Sequence, residues 1–222
     1  MRLIKPYAEL VYFQPDATIA IERAGRVCYQ SSDKSDFSEL SSSNFVKRLI
    51  FKDHLSVLEH ASASIRFVVD RGVSHEIVRH RIASYSQEST RYCKYNDHVL
   101  FVIPSWVSEI KAGIYPYSYY SVDYADSLPA DQRTWFNAML NAEADYSKLI
   151  SHNISPQNAR SVLPNSLKTE LIMTANMREW RHFFQLRTAP AAHPDMRIVA
   201  GQALRAMNYR ASGIFSDLLC DC

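Results

Sequence analysis

Fourteen residues from Arg79 to Tyr92 (Arg-His-Arg-Ile-Ala-Ser-Tyr-Ser-Gln-Glu-Ser-Thr-Arg-Tyr) hold three arginines, a histidine and a series of short hydroxyl side chains. Guanidinium forks grip phosphate oxygens bidentately, and hydroxyls with backbone N–H groups complete such a cradle. The chemistry this predicts is recognition of an anion. The same residues also read as the basic end of a helix followed by a polar loop, with the arginines paired to Asp70, Glu76 and Glu88. Composition alone leaves both readings open.

Two further clusters flank this run. His54, Glu59 and His60 are metal-ligand types, but the spacing is not His-Glu-x-x-His and no third protein ligand is evident, so no metal is expected. Ser56 and Glu59 have the spacing of a capping box at a helix start. Asn176-Met177-Arg178-Glu179 repeats that spacing, and capping accounts for Asn176. Trp180, Phe183 and Phe184 are helix-spaced and read as core, while Arg178, Arg181 and His182 share the opposite side. A solvated basic face accounts for Arg181. It accounts less well for Arg187, which follows Phe183-Phe184-Gln185-Leu186 in a position expected to be buried.

Periodicity predicts the elements that must position these groups. Residues 7–13 are rich in β-formers and predict a strand, and 17–29 and 37–52 predict helices. The clearest strand is 61–69, where Ala61, Ala63, Ile65, Phe67 and Val69 alternate with polar residues. Asp70-Arg71-Gly72 turns it into a helix starting near Val73. The pairs Val73/Ile77, Val78/Ile82, His75/Arg79 and Glu76/His80 carry that helix through the arginines. Apolar residues on several of its sides suit burial beside an anionic ligand or at a subunit interface. Residues 99–103 predict a strand ended by Pro104, and the Tyr/Ser/Asp-rich stretch 113–127 a loop. A long amphipathic helix over 129–151 has Phe136, Met139, Leu140, Tyr146, Leu149 and Ile150 near one face. Ser155-Pro156 starts a short helix that Pro164 ends. A strand over 167–174, a helix opened by Asn176 and a last helix from Pro194 to about residue 219 complete the order. With no repeat or linker, one α+β (mixed α/β) domain over 1–222 is expected.

Composition bounds the setting. With 47% hydrophobic and 22% charged residues and only 5 Gly and 9 Pro, a low-complexity or disordered chain is excluded. A net charge of +2 gives no global field for nucleic acid or an anionic membrane, so any anion must be held locally. No apolar run reaches the roughly 18–20 residues that span a bilayer. Neither nucleic acid nor membrane is expected as a partner. Met1–Pro6 lacks the apolar stretch of a signal peptide, and Cys28, Cys93, Cys220 and Cys222 show no framework spacing. Cys220-Asp221-Cys222 supplies two thiols, too few to close a zinc site. Reduced thiols and a cytoplasmic location are expected.

Arg79-His80-Arg81, then seven residues, then Ser89-Thr90-Arg91-Tyr92 resembles the signature of the flavin-dependent thymidylate synthases. His54-Leu55-Ser56-Val57-Leu58-Glu59-His60 resembles that family's flavin-contacting segment, and Arg160, Asn176, Arg178 and Arg187 fall in the family's order. The resemblance implies a central, largely antiparallel sheet flanked by helices, in a homotetramer that binds FAD and nucleotide at subunit interfaces. It implies reductive methylation of dUMP to dTMP, with methylene-tetrahydrofolate donating the carbon and NADPH reducing FAD. By the same resemblance, His54, Ser56, Glu59, Arg79, His80, Arg81, Gln87, Asn176, Arg178 and His182 contact FAD. Glu76, Ile77, Val78, Arg79, Gln87, Glu88, Ser89, Thr90, Arg91, Arg160 and Arg187 contact dUMP, with Ser89 and Arg91 near its phosphate. Where the family often has Gln, Asn-Glu and Asn, this chain has Glu76, Ser86-Gln87 and His182. A carboxylate beside a phosphate would repel it, so Glu76 is expected to accept from a ribose hydroxyl or base N–H, or to pair with an arginine.

Methylation at C5 of uracil requires that carbon to be made nucleophilic. Attack of a thiolate at C6 is one route. Cys93, whose neighbours Arg91 and Lys94 would lower its pKa, is the candidate for it, although its place just outside the loop reads as buried packing. The other route is electrostatic, an arginine stabilising negative charge that develops on the pyrimidine. Arg187 matches the family arginine thought to favour ionisation at N3 and is the expected catalytic residue. Ser89 has no adjacent base-and-orienter pair and is assigned to substrate binding.

Overall fold

The computed structural model describes residues 1–95, 98–116 and 118–219, so the Cys220–Cys222 pair lies outside the described residues. In chain order these form β1 (Arg2–Ile4), β2 (Tyr7–Phe13), α1 (Ala17–Cys28), α2 (Glu39–Phe51), β3 (Ser62–Asp70), α3 (Arg71–Ile77), β4 (Ser84–Gln87) and β5 (Leu100–Val102). There follow β6 (Gly113–Ile114), α4 (Tyr119–Asp126), α5 (Ala130–Ser151), α6 (Pro156–Ala159), β7 (Lys168–Asn176), α7 (Met177–Arg187), α8 (Pro194–Arg210) and α9 (Ser212–Phe215). A four-stranded sheet has the order β2-β3-β7-β4 and a three-stranded sheet the order β5-β1-β6. The expected mixture of helices with antiparallel sheets is borne out. One pairing departs from it: β1 runs parallel to β5, with Leu3 opposite Phe101, and antiparallel to β6.

Contacts gather the chain into two compact units interleaved in sequence. Unit 1 comprises Met1–Pro6, Val68–Glu76 and Gln87–Leu171; unit 2 comprises Tyr7–Phe67, Ile77–Ser86 and Ile172–Cys222. In unit 1 the core is built on α5, where Phe136, Met139, Leu140 and Tyr146 are buried with Leu3 and Phe101. The rings of Tyr115 and Tyr124 lie 5.1 and 5.4 Å from that of Phe136. In unit 2 the alternation of β3 sends Ala63, Ile65 and Phe67 inward, as expected, where they meet the aromatic face of α7. Trp180 and Phe183 lie 6.4 and 5.8 Å from Phe67, and the Trp180 indole N–H donates to the Ala63 carbonyl at 3.0 Å. Burying side chains of this size stabilises a fold by about 1.5–3 kcal/mol each, which fixes α7 firmly on its strand.

Four expectations change. The helix after Val73 stops at Ile77 and does not run through Ile82, which is 70% exposed. The single Tyr85 hydroxyl proton sits between the carbonyls of Ile77 and His80, which lie 2.9 and 2.7 Å from the phenol oxygen. The His80 N–H donates to the Ile77 carbonyl, so both carbonyls at this helix end have a donor within reach. The stretch 113–127 is not a plain loop but holds β6 and α4, because Tyr115 and Tyr124 pack on Phe136. The final helix breaks at Ala211, where φ −152° and ψ 74° are not helical, and α9 follows. There Gly213 approaches Ser43 of α2 so closely that a β-carbon would collide. Finally, Ser56–His60 is a 3-10 turn whose start carries no side-chain cap, so the expected Ser56–Glu59 capping box does not form.

Candidate active site

Unit 2 brings together groups that are far apart in sequence. At the end of α7, Arg187 is half-buried, and its Nε–H donates to His80 Nε2 at 3.0 Å. The other ring nitrogen of His80, Nδ1, lies 3.1 Å from Glu179 Oε1. An arginine can only donate, so His80 must offer a lone pair at Nε2 and carry its single proton on Nδ1, which donates to the Glu179 carboxylate. His80 and Glu179 are both buried, at 5% and 7% exposure. Burial lowers the His80 pKa below 6.5, the Glu179 hydrogen bond opposes that shift, and the Arg187 charge reinforces it. The ring is therefore neutral near pH 7. Phe183 meets it edge-on at 4.9 Å and holds its plane. Asn176 caps α7 as expected, accepting the Glu179 N–H at 2.8 Å. The Glu179 carboxylate does not reciprocate as a capping box would; it is spent on His80.

Beside this corner, still within unit 2, a cleft of about 500 Å³ is lined by Leu55, Glu59, Ile82, Asn176, Arg178, Glu179, Arg181, His182 and Gln185. Four expected FAD residues (Glu59, Asn176, Arg178 and His182) share it. Arg178 and Glu59 form an ion pair of 2.6 Å with both side chains about half exposed. The pair is labile in solvent, so Arg178 can exchange its carboxylate for a ligand phosphate. Leu55 and Ile82 give the cleft an apolar wall suited to a ring system. The residues fit a flavin nucleotide in both respects. Arg79 and Arg81 are exposed on the turn after α3, and Ile77 is buried with Val78 half-buried beside it. His54 is exposed and within 3.3 Å of the Tyr29 hydroxyl, and Ser56 is exposed.

Unit 1 carries the other expected nucleotide residues. Gln87 Nε2 donates to Ser74 Oγ at 3.2 Å and Thr169 Oγ1 at 3.1 Å, and the Glu88 N–H donates to the Glu170 carbonyl. Lys168 lies 3.0 Å from the Glu88 carboxylate and also pairs with Glu170. Arg160 donates to Thr90 Oγ1 at 2.7 Å, which brings together two residues separated by 70 positions. Ser89 Oγ accepts the Arg91 N–H at 3.3 Å, a local turn that leaves the exposed Arg91 side chain over Tyr92. Glu76 is half-buried at the end of α3.

Other readings are corrected. Arg181 is not on a solvated face: it is 5% exposed, donates to the Ile214 carbonyl and forms a bidentate pair with Asp217 at 2.7 and 2.6 Å. Cys93 is exposed and not buried packing. Among the described residues, the group whose ligand atoms lie close enough for a metal is His80, Glu179 and His182, not His54, Glu59 and His60. Both His80 nitrogens are already committed, and the Arg187 cation stands at one of them, so that trio is not a metal centre in this state. Sequence reasoning missed Glu179 because its cap position explained it fully, and missed Tyr85 because its acceptors are backbone carbonyls.

The family model for thymidylate synthase complementing protein matches residues 9–211. The flavin-dependent thymidylate synthase of Geobacter sulfurreducens is 35% identical over 215 residues, covering 94% of this chain and 84% of its own. That of Mycobacterium avium is 34% identical over 202 residues, covering 89% and 78%. The solved Helicobacter pylori enzyme complexed with FAD and dUMP superposes with a TM-score of 0.74 at 25% identity, over 96% of this chain and 99% of that one. A UMP/dUMP methylase from Streptomyces cacaoi bound with 5-Br dUMP gives 0.75 at 26% identity, over 97% and 96%. The two compact units, the Arg79-His80-Arg81 turn and the Arg187 corner thus sit in a chain that belongs to the flavin-dependent thymidylate synthase family.

Proposed function

We propose that the protein reductively methylates dUMP to dTMP, taking the carbon from methylene-tetrahydrofolate and reducing equivalents from NADPH through FAD. Residues 1–222 act as one functional domain in a cytoplasmic homotetramer whose sites are shared between subunits. FAD, when bound, supplies the electrons that convert the transferred one-carbon group to a methyl. Asn176, Arg178, His182 and Glu59 would hold it along the unit 2 cleft, with His54, Ser56, Arg79, His80, Arg81 and Gln87 completing the contacts. Ser89 and Arg91 take the dUMP phosphate, and Thr90, Gln87, Glu88, Arg160, Glu76, Ile77, Val78 and Arg79 surround the nucleoside.

The observation that carries this reading is the Arg187–His80–Glu179 chain. A guanidinium held by a neutral, buried imidazole stabilises negative charge as it develops on the pyrimidine. C5 then becomes nucleophilic, forms its bond to the incoming carbon and releases its proton. The experiment is release of tritium from C5-labelled dUMP in the presence of methylene-tetrahydrofolate and NADPH, alongside the flavin absorbance of the purified protein. Protein that neither carries nor takes up FAD and releases no tritium overturns the assignment. A sedimentation mass equal to the 25.5 kDa chain, with activity retained, overturns the shared-site assembly.

A further inference from the structure

We infer that Glu179 is the positioning residue for Arg187, acting through the His80 imidazole to fix the plane and location of the guanidinium; the inference rests on the proposed role of Arg187 at the pyrimidine. The three groups admit one protonation pattern. Arg187 Nε–H donates to His80 Nε2 at 3.0 Å, so the imidazole proton lies on Nδ1, where Glu179 Oε1 at 3.1 Å accepts it. The other neutral tautomer would set an N–H at Nε2 against the Arg187 N–H and expel the guanidinium. Burial keeps water from replacing the carboxylate, since Glu179 and His80 are 7% and 5% exposed.

Glu179 is itself held on both sides. Its backbone N–H is fixed by Asn176 at the start of α7, and its carboxylate lies beside a ring wedged against Phe183. A capping role alone would turn the carboxylate back to the helix start. It points to His80 instead. Arg187 stands two turns further along the same helix, so α7 supplies both ends of the chain and the turn after α3 supplies its middle.

The test uses the full-length, FAD-loaded protein with E179A, E179Q, R187A and the double variant E179A/R187A. In FAD-saturated E179A, kcat for tritium release is expected to fall about 10–100-fold. It should fall by more than the rate of NADPH-driven flavin reduction, since Glu179 also lines the cleft assigned to FAD. E179Q, whose amide oxygen still accepts the Nδ1–H, is expected to recover most of that loss. The double variant is expected to be no slower than R187A, because both changes remove one interaction. Additive losses, an E179Q as poor as E179A, or an E179A near wild type overturns the inference. Nitrogen NMR of the wild-type imidazole reads the tautomer without any variant: a neutral ring protonated at Nδ1 is expected near pH 7, and a proton on Nε2 overturns it. If R187A itself kept full kcat, the pyrimidine role of Arg187 would fall and this inference with it. A slow R187A beside a fast E179A sinks the positioning role alone.

Discussion

Arg160 and Arg91 in unit 1 stand exposed, and Arg160 rests on a threonine hydroxyl and the Gln157 carbonyl. Arg187 in unit 2 is half-buried and tied through an imidazole to a carboxylate. The same side chain is thus held in two ways. A guanidinium on neutral acceptors at the surface can swing to meet a phosphate, and it offers mainly charge. One tethered at Nε has its plane set before any ligand arrives, so it offers orientation as well. Preorganisation of that kind matters where charge forms during the reaction, and mobility is tolerable where charge is present throughout.

The strongest way to break this contrast is to truncate the tethered arginine. Arg187→Ala is expected to lower kcat by about 10²–10³, with NADPH oxidation by the bound flavin persisting. Arg187→Lys should rescue it poorly, since an ammonium has neither the planar fork nor an Nε to give to His80. Steady-state and flavin-reduction kinetics check both; a change confined to KM would move Arg187 into the binding set.

Smaller effects are expected from the surface arginines. Arg91→Ala and Arg160→Ala should each raise the KM for dUMP and leave most of kcat, because each loses a charge-assisted hydrogen bond worth about 1.5–3 kcal/mol. A tenfold fall in kcat for either, at saturating dUMP, would erase the distinction.

Acidification should touch one region and spare the other. The groups facing His80 are Glu179, Arg187, His182 and Tyr85, and the Tyr85 pKa is pushed up to about 12 by burial, so it remains a donor. Because burial holds the His80 pKa below 6.5, the folded protein resists a proton that the unfolded chain accepts. The stability this group contributes is fully present above 6.5 and is lost as pH falls from there through the lower folded value. Only as pH passes through that lower folded value should kcat fall several-fold, because there the folded ring takes up the proton and repels Arg187, with a lesser change in KM. A pH profile of KM and kcat separates the two.

Much of the scaffold was legible in the residues. Alternation in 61–69 and the helix-spaced Trp180, Phe183 and Phe184 revealed the elements that position the corner, because burial on one face leaves a period in the sequence. Asn176 was legible as a cap for the same local reason. What escaped was set by distant partners. The end of α3 is fixed by the Tyr85 phenol, the burial of Arg181 by Asp217 at 36 positions' remove, and the role of Glu179 by a histidine 99 positions away. None of these leaves a local pattern. The Arg79–Arg91 run was recognisable as a motif, yet its helical periodicity misled, since apolar spacing continues past the point where the helix closes.

The separations in unit 2 also bear on how the chain is made. His80 meets Glu179 and Arg187 across 99 and 107 residues, and Trp180 reaches Ala63 across 117. During synthesis, the His80 turn and the apolar face of β3 leave the ribosome long before α7 exists to cover them. Contacts of such long range close slowly, and a half-made sheet face is prone to misassociation. A nascent chain therefore carries its signature motif, while residues 93–178 are added, without the carboxylate or the arginine that complete it. Any product terminated before α7 would display the motif and lack the corner, with an open strand face for chaperones to hold.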